Sequence, residues 1–189
     1  WGIIYLWLVL GSLYGLFRAR KSDAWRAMRP PLFIALLIGT AWLSIATASA
    51  IWGTITLFMM AAAAIHALLR TTSDDWAWQT GPVGLFAGWL TAASGVSLAV
   101  TLSGFGVMDP SPAALLALSA VIVVAVTVSA ARPGAWTYAL GAGWALFGVC
   151  VTGVEQGSII TLALAALGLV AVAATVLRDL RKPTEQGRP

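Results

Sequence analysis

Residues Arg18–Ala48 read RARKSDAWRAMRPPLFIALLIGTAWLSIATA. The segment Arg18–Arg29 holds five cations (Arg18, Arg20, Lys21, Arg26, Arg29), whereas Pro31–Ala48 holds no charge at all. At a rise of 1.5 Å per residue that uncharged run is about 27 Å long, close to the ~30 Å hydrocarbon core of a bilayer. A basic flank followed by an apolar run of this length predicts a membrane-spanning helix anchored at one end. The pattern repeats in both directions. Seven spans are expected: Trp1–Phe17, Pro31–Ala48, Gly53–Leu69, Val83–Gly104, Ala113–Ala131, Ala135–Thr152 and Ser158–Leu177.

All eleven Lys and Arg then fall on one side. The first connection has the five cations above, the third Arg70, the fifth Arg132, and the C-terminal tail Arg178, Arg181, Lys182 and Arg188. The second, fourth and sixth connections have none. Short loops rich in Lys and Arg stay in the cytoplasm, so the odd connections and the C-terminus are expected there. A wrong span count would scramble this alternation, so the charges support seven spans as well as the orientation.

Composition agrees. The chain is 60% hydrophobic and 10% charged, with a mean hydropathy of +0.90. Without water at membrane depth, backbone groups pair within each helix. A β-barrel would need alternating segments of roughly ten residues, and these runs are continuous. The expected fold is therefore all-α, a polytopic transmembrane bundle. The pI near 9.8 reflects the basic loops and contact with anionic lipid headgroups. No basic patch interleaves with aromatics as a single-strand binder requires, so nucleic acid is not an expected partner. The chain opens at Trp1 inside an apolar run without a basic leader, which predicts one more span upstream.

Along the chain, Trp25 and Met28 interleave with the cations of Arg18–Arg29, predicting a short interfacial helix before Pro30-Pro31 opens the second span. Spans two and three form a tight hairpin through residues 48–53. The connection at 71–82, TTSDDWAWQTGP, offers Asp74 and Asp75 as N-caps and Trp76 and Trp78 as anchors. Gly11/Gly15 and Gly84/Gly88 are small-xxx-small pairs of the kind that let helices approach closely.

Chemistry-bearing residues are few. No span contains Asp, Glu, Lys or Arg; Asp109 and Glu155 sit in outer connections. A transporter coupled through a mid-membrane carboxylate, which costs roughly 3 kcal/mol or more to bury, is disfavoured. No metal-ligand cluster, phosphate loop or nucleophile–base grouping is present, so the expectation is no enzyme, no catalytic residue and no metal site. The lone Cys150 cannot form an internal disulfide. His66, the single histidine, has two readings: an axial ligand to a tetrapyrrole metal, or a helix C-terminal residue near the interface. Ten Trp are present. Trp25, Trp52, Trp76, Trp78 and Trp136 fall near span ends as belt residues. Trp42, Trp89 and Trp144 lie within spans, as does Trp7 with Tyr5. Each interior ring either packs between helices or lines a site for a flat ligand.

Several of these segments together resemble the tryptophan-rich sensory protein/translocator protein (TspO/MBR) family in its extended bacterial branch. Trp1-Gly2-Ile3-Ile4-Tyr5-Leu6 resembles the start of the family's second helix, and Gly39-Thr40-Ala41-Trp42 its third. Pro82-Val83-Gly84-Leu85-Phe86-Ala87-Gly88-Trp89-Leu90-Thr91-Ala92-Ala93 is similar to the fifth, and Tyr138–Gly148 to a later segment of the extended branch. The resemblance implies a family-like core over residues 1–104, three additional helices over 105–180 and a polar cytoplasmic tail over 181–189. It implies a multi-pass protein of the bacterial inner membrane that binds a flat hydrophobic ligand, such as a porphyrin, chlorin, carotenoid or sterol-like lipid, in a sensory or regulatory role. Tyr5, Trp42, Trp89 and Trp144 are the candidate lining residues. No cofactor is assigned. Expected partners are membrane lipids, a hydrophobic small molecule, and a second copy or a larger membrane complex. The alternative is a non-catalytic structural subunit, which the plain Ala/Val/Leu faces of spans five and seven suit.

Overall fold

A computed structural model describes residues 2–181; the polar tail beyond Arg181 lies outside the described residues. The described residues form seven helices: α1 (Gly2–Phe17), α2 (Asp23–Ala48), α3 (Ala50–Leu69), α4 (Thr80–Gly104), α5 (Pro110–Ala131), α6 (Trp136–Glu155) and α7 (Ile159–Leu180). By length and composition α2 to α7 are long and apolar enough to cross a membrane, and α1 is a shorter apolar helix of 16 residues. The expected all-α bundle is the fold of the molecule.

Most boundaries fall within about three residues of the sequence expectation, and one differs by more. The second span does not begin at the proline pair. α2 starts at Asp23 and runs through Pro30 and Pro31 without a break. Asp23 favours the helix start and pairs with Arg26 at 3.2 Å. The prolines remove the bonds that the carbonyls of Arg26 and Ala27 would accept, and both residues are exposed near the end of the bundle, where water can replace them. At the other end of α2 the hairpin is as tight as expected. Ser49, in extended conformation, separates α2 from α3, and its hydroxyl accepts from the Trp52 amide at 3.4 Å.

α4 is the centre of the bundle, packing against α1, α3, α5 and α6; α2 pairs with α3, and α7 packs on α6 and α5. Glycine explains the closest approach. A β-carbon on Gly88 would overlap the Tyr138 carbonyl oxygen, and one on Gly141 would lie 2.8 Å from the Leu85 carbonyl oxygen. The α4–α6 contact is thus backbone on backbone, as the Gly84/Gly88 pair foretold. Gly11 and Gly15 likewise admit the Trp78 carbonyl and the Trp25 ring against α1. Hydroxyls add polar links: Thr91 to Tyr138 at 3.1 Å, and Thr54 to Ser97 and Thr101 at 2.7 Å each. The buried side chains form two clusters, one across α1–α4 that also takes in Val128, Ala135 and Tyr138, the other across α5–α7.

Candidate functional site

The connections that carry the cations are bonded to one another, so they share one end of the bundle. Asp75, in the turn between α3 and α4, accepts from the Tyr14 hydroxyl of α1 at 3.1 Å and from the Trp25 indole of α2 at 2.8 Å. Trp76 donates its indole N–H to the Gly134 carbonyl of the α5–α6 turn at 2.8 Å and stacks on Trp136, ring centroids 5.0 Å apart. Arg132 donates to the Thr71 carbonyl at 2.9 Å. Asp179, near the end of α7, accepts from the Gly134 amide. Gln79, fully buried, accepts from the Thr72 amide at 2.9 Å and donates to the Ala24 carbonyl at 3.3 Å. The first, third and fifth connections and the end of α7 are thereby tied into one basic end.

The Asp residues of the 71–82 connection do not serve as N-caps. Gln79 holds the N-cap position of α4 without a side-chain bond to the helix's own amides, and Asp75 is spent on Tyr14 and Trp25. The chain there folds down onto α1, with Trp7 donating to the Ala77 carbonyl at 2.7 Å and Tyr14 stacking on Trp78 at 5.3 Å.

This arrangement leaves a groove between α1 and α2, of about 460 Å³. Trp25 and Met28 form its floor, Leu16, Leu32 and Phe33 its apolar walls, and Arg20 and Arg29 its mouth. Trp25 is 2% exposed although it lies seven residues beyond Arg18, in the most basic segment of the chain. Arg29 holds the mouth in shape: its guanidinium donates to the carbonyls of Gly15, Ala19 and Arg20 at 3.0, 3.0 and 3.2 Å, where α1 ends. A second hollow of about 250 Å³ continues along α1 to Tyr5 and shares Ser12, Leu16 and Leu36 with the first.

The four expected lining residues do not converge. Tyr5 lines the far part of this groove and is 47% exposed. Trp42, half-buried, donates its N–H to the Gly53 carbonyl at 3.0 Å and so closes the α2–α3 hairpin. Trp89 packs against the α1–α4 cluster beside Phe86, centroids 6.4 Å apart. Trp144 is 74% exposed on α6, in a shallow groove against α7. None of these cavities is lined by two of the four. The groove is lined instead by Trp25, a residue expected in the aromatic belt. The signal for it was the stripe Trp25, Met28, Leu32, Ala35, all buried at helical spacing across the prolines. A smaller hollow of about 220 Å³ lies between α3, α4 and α5, but its Thr91 and Ser94 hydroxyls are already bonded to Ala87 and Leu90 carbonyls. His66 is exposed on α3, and among the described residues no group of three or more His, Cys, Asp or Glu is placed to hold a metal ion.

No curated protein and no solved structure matches the chain. A family model described as TSPO-like protein matches residues 1–177, and so runs across the core segments and the three later helices alike. That match covers almost the whole helical bundle built around the α4 glycines and the aromatic basic end, and the chain belongs to the TSPO-like protein family.

Proposed function

We propose that this protein binds a flat hydrophobic ligand, a porphyrin, chlorin, carotenoid or sterol-like lipid, in the groove between α1 and α2. The role is sensory or regulatory, without catalysis, in the bacterial inner membrane with the basic end and the C-terminus in the cytoplasm. The observation that carries this reading is the groove itself: about 460 Å³, lined by the apolar side chains of Leu16, Met28, Leu32, Phe33 and Leu36, with the Trp25 indole at its base. The tie of Asp75 to Tyr14 and Trp25 supports a regulatory role, because occupancy at Trp25 is felt by a turn bonded onward to α5–α6 and α7.

The test is titration of the purified protein, in nanodiscs of zwitterionic lipid, with protoporphyrin IX, a carotenoid and a sterol in turn. Saturable binding of at least one is expected, and Ser12→Trp, which fills the groove, should abolish it. Absence of saturable binding by all three removes the reading. A second reading, a non-catalytic subunit of a larger membrane complex, is favoured by the exposed pair Trp144 and Phe147 beside α7, a lateral aromatic face that suits another helix. Co-purification of a stoichiometric protein with a clean absorption spectrum would favour it.

A further inference from the structure

The mouth of the α1–α2 groove is cationic without being neutralised. Arg29 bonds to three carbonyl oxygens and to no carboxylate, and Arg20 is exposed at the rim. Arg18 and Lys21 stand in the same turn. Asp23 pairs with Arg26 at 3.2 Å, and Asp75 is bonded to Tyr14 and Trp25. Among the described residues none of Arg18, Arg20, Lys21 and Arg29 forms an ion pair. Below this rim the surface is apolar, and the hollow extends along α1 from Leu16 to Tyr5. At 1.5 Å per residue that stretch is about 17 Å, close to half of the ~30 Å hydrocarbon core, the depth of one leaflet.

We infer that, when no flat ligand is present, the groove holds an anionic phospholipid from the leaflet at the basic end. Its phosphate head sits at Arg20 and Arg29, and one acyl chain lies along Ser12, Leu16 and Leu36 toward Tyr5. Three features select this occupant over bulk lipid. The Arg20 guanidinium, exposed and outside any ion pair, matches a phosphate with fork geometry, and Arg29, whose hydrogen bonds go to carbonyls, adds a second positive charge that no carboxylate neutralises. The groove depth matches an acyl chain of a single leaflet. An apolar groove open to the bilayer gains dispersion contacts only when a chain fills it. The inference shares its groove with the proposed function but concerns a different occupant, which the flat ligand must displace.

The experiment is native mass spectrometry of the full chain released from vesicles of equal parts phosphatidylglycerol and phosphatidylcholine. Wild type is expected to retain one phosphatidylglycerol in preference to phosphatidylcholine. Arg20→Gln should lower that preference about fivefold, the scale of one surface cation, while Arg70→Gln, which removes a basic-end cation outside the groove, should leave it unchanged. Ser12→Trp should lose the lipid while circular dichroism stays helical. Equal loss in Arg20→Gln and Arg70→Gln, retention in Ser12→Trp, or no retained phosphatidylglycerol because another segment of the chain fills the groove, each overturns the inference. Flat-ligand titration in phosphatidylcholine alone separates the two readings. Ring binding without lipid retention sinks this inference only; lipid retention without ring binding sinks the proposed function only.

Discussion

Trp25 of α2 donates its indole N–H to Asp75 Oδ2 across 2.8 Å, joining the first connection to the third over fifty residues of sequence. The carboxylate's other oxygen takes the Tyr14 hydroxyl. An acidic side chain that looks like a solvated cap in sequence is thus the point where α1, α2 and the 71–79 turn meet. Because Trp25 is buried, its N–H cannot exchange this acceptor for water.

Asp75→Ala should therefore destabilise the protein by about 1–3 kcal/mol, the cost of leaving the buried Trp25 donor without a partner. Asp75→Asn keeps one acceptor oxygen and should cost less. Thermal unfolding in detergent, followed by Trp fluorescence, reads the order. Equal stability of wild type and Asp75→Ala would show that the indole finds another acceptor.

The α4–α6 contact makes a sharper claim. Gly88→Ala places a methyl on the Tyr138 carbonyl, so the two helices must separate and lose their closest packing. Gly148→Ala, in α6 with nothing within 4 Å of its β-carbon, should be neutral or slightly stabilising. Unfolding midpoints of the two variants should move in opposite directions or, at the least, differ clearly. Equal midpoints would mean that α6 does not depend on that contact.

The seven helices were legible because apolar run length and cation alternation are properties of the chain alone. Gly84/Gly88 was legible as a contact for the same reason, although its partner, Tyr138, was not. Two features escaped. The continuation of α2 through Pro30-Pro31 was hidden by the usual reading of proline as a helix start, while the Trp25–Met28–Leu32–Ala35 stripe pointed the other way. The roles of Trp25, Trp76 and Trp136 were hidden because a belt tryptophan and one that bonds a distant loop occupy the same place near a span end. Their partners lie 50 and 58 residues away in the first two cases, a separation that no local pattern encodes.

The orientation is open to direct measurement. Reporter fusions after Lys21, Arg70 and Arg132 and in the tail should all read cytoplasmic, and fusions after Ser49, Gly106 and Gly157 should all read periplasmic. Lys21 is the right position in the first connection because Arg29 is already inside α2. A single periplasmic reading from the first set would contradict the positive-inside assignment.

His66→Ala should leave the spectrum of any bound tetrapyrrole unchanged. The imidazole is exposed on α3 and lines none of the cavities described above, including the α1–α2 groove. Loss of a metal-centred band in a folded variant would move the functional centre to α3.

The proposed ligand site separates two tryptophans that sequence alone treats in the opposite sense. Trp42 is one of the four expected lining residues; its N–H holds the Gly53 carbonyl and its ring packs against the α1–α4 cluster. Trp25 was the expected belt residue, yet it floors the groove. Phenylalanine in place of each keeps an aromatic ring while removing the N–H and part of the flat surface. Trp42→Phe should lower stability by about 1 kcal/mol, one hydrogen bond, and leave ligand affinity within twofold of wild type. Trp25→Phe should lower both if the proposed groove is the site, because the same ring lines the groove and anchors Asp75. Asp75→Asn supplies the control, since it weakens the anchor while keeping the indole floor. If affinity falls in Trp25→Phe well beyond its fall in Asp75→Asn, measured by ring-ligand titration beside thermal unfolding, the indole contacts the ligand directly. If the two fall alike, Trp25 acts only through the fold of the basic end. If Trp42→Phe falls furthest, the ligand lies at the hairpin and not in the groove.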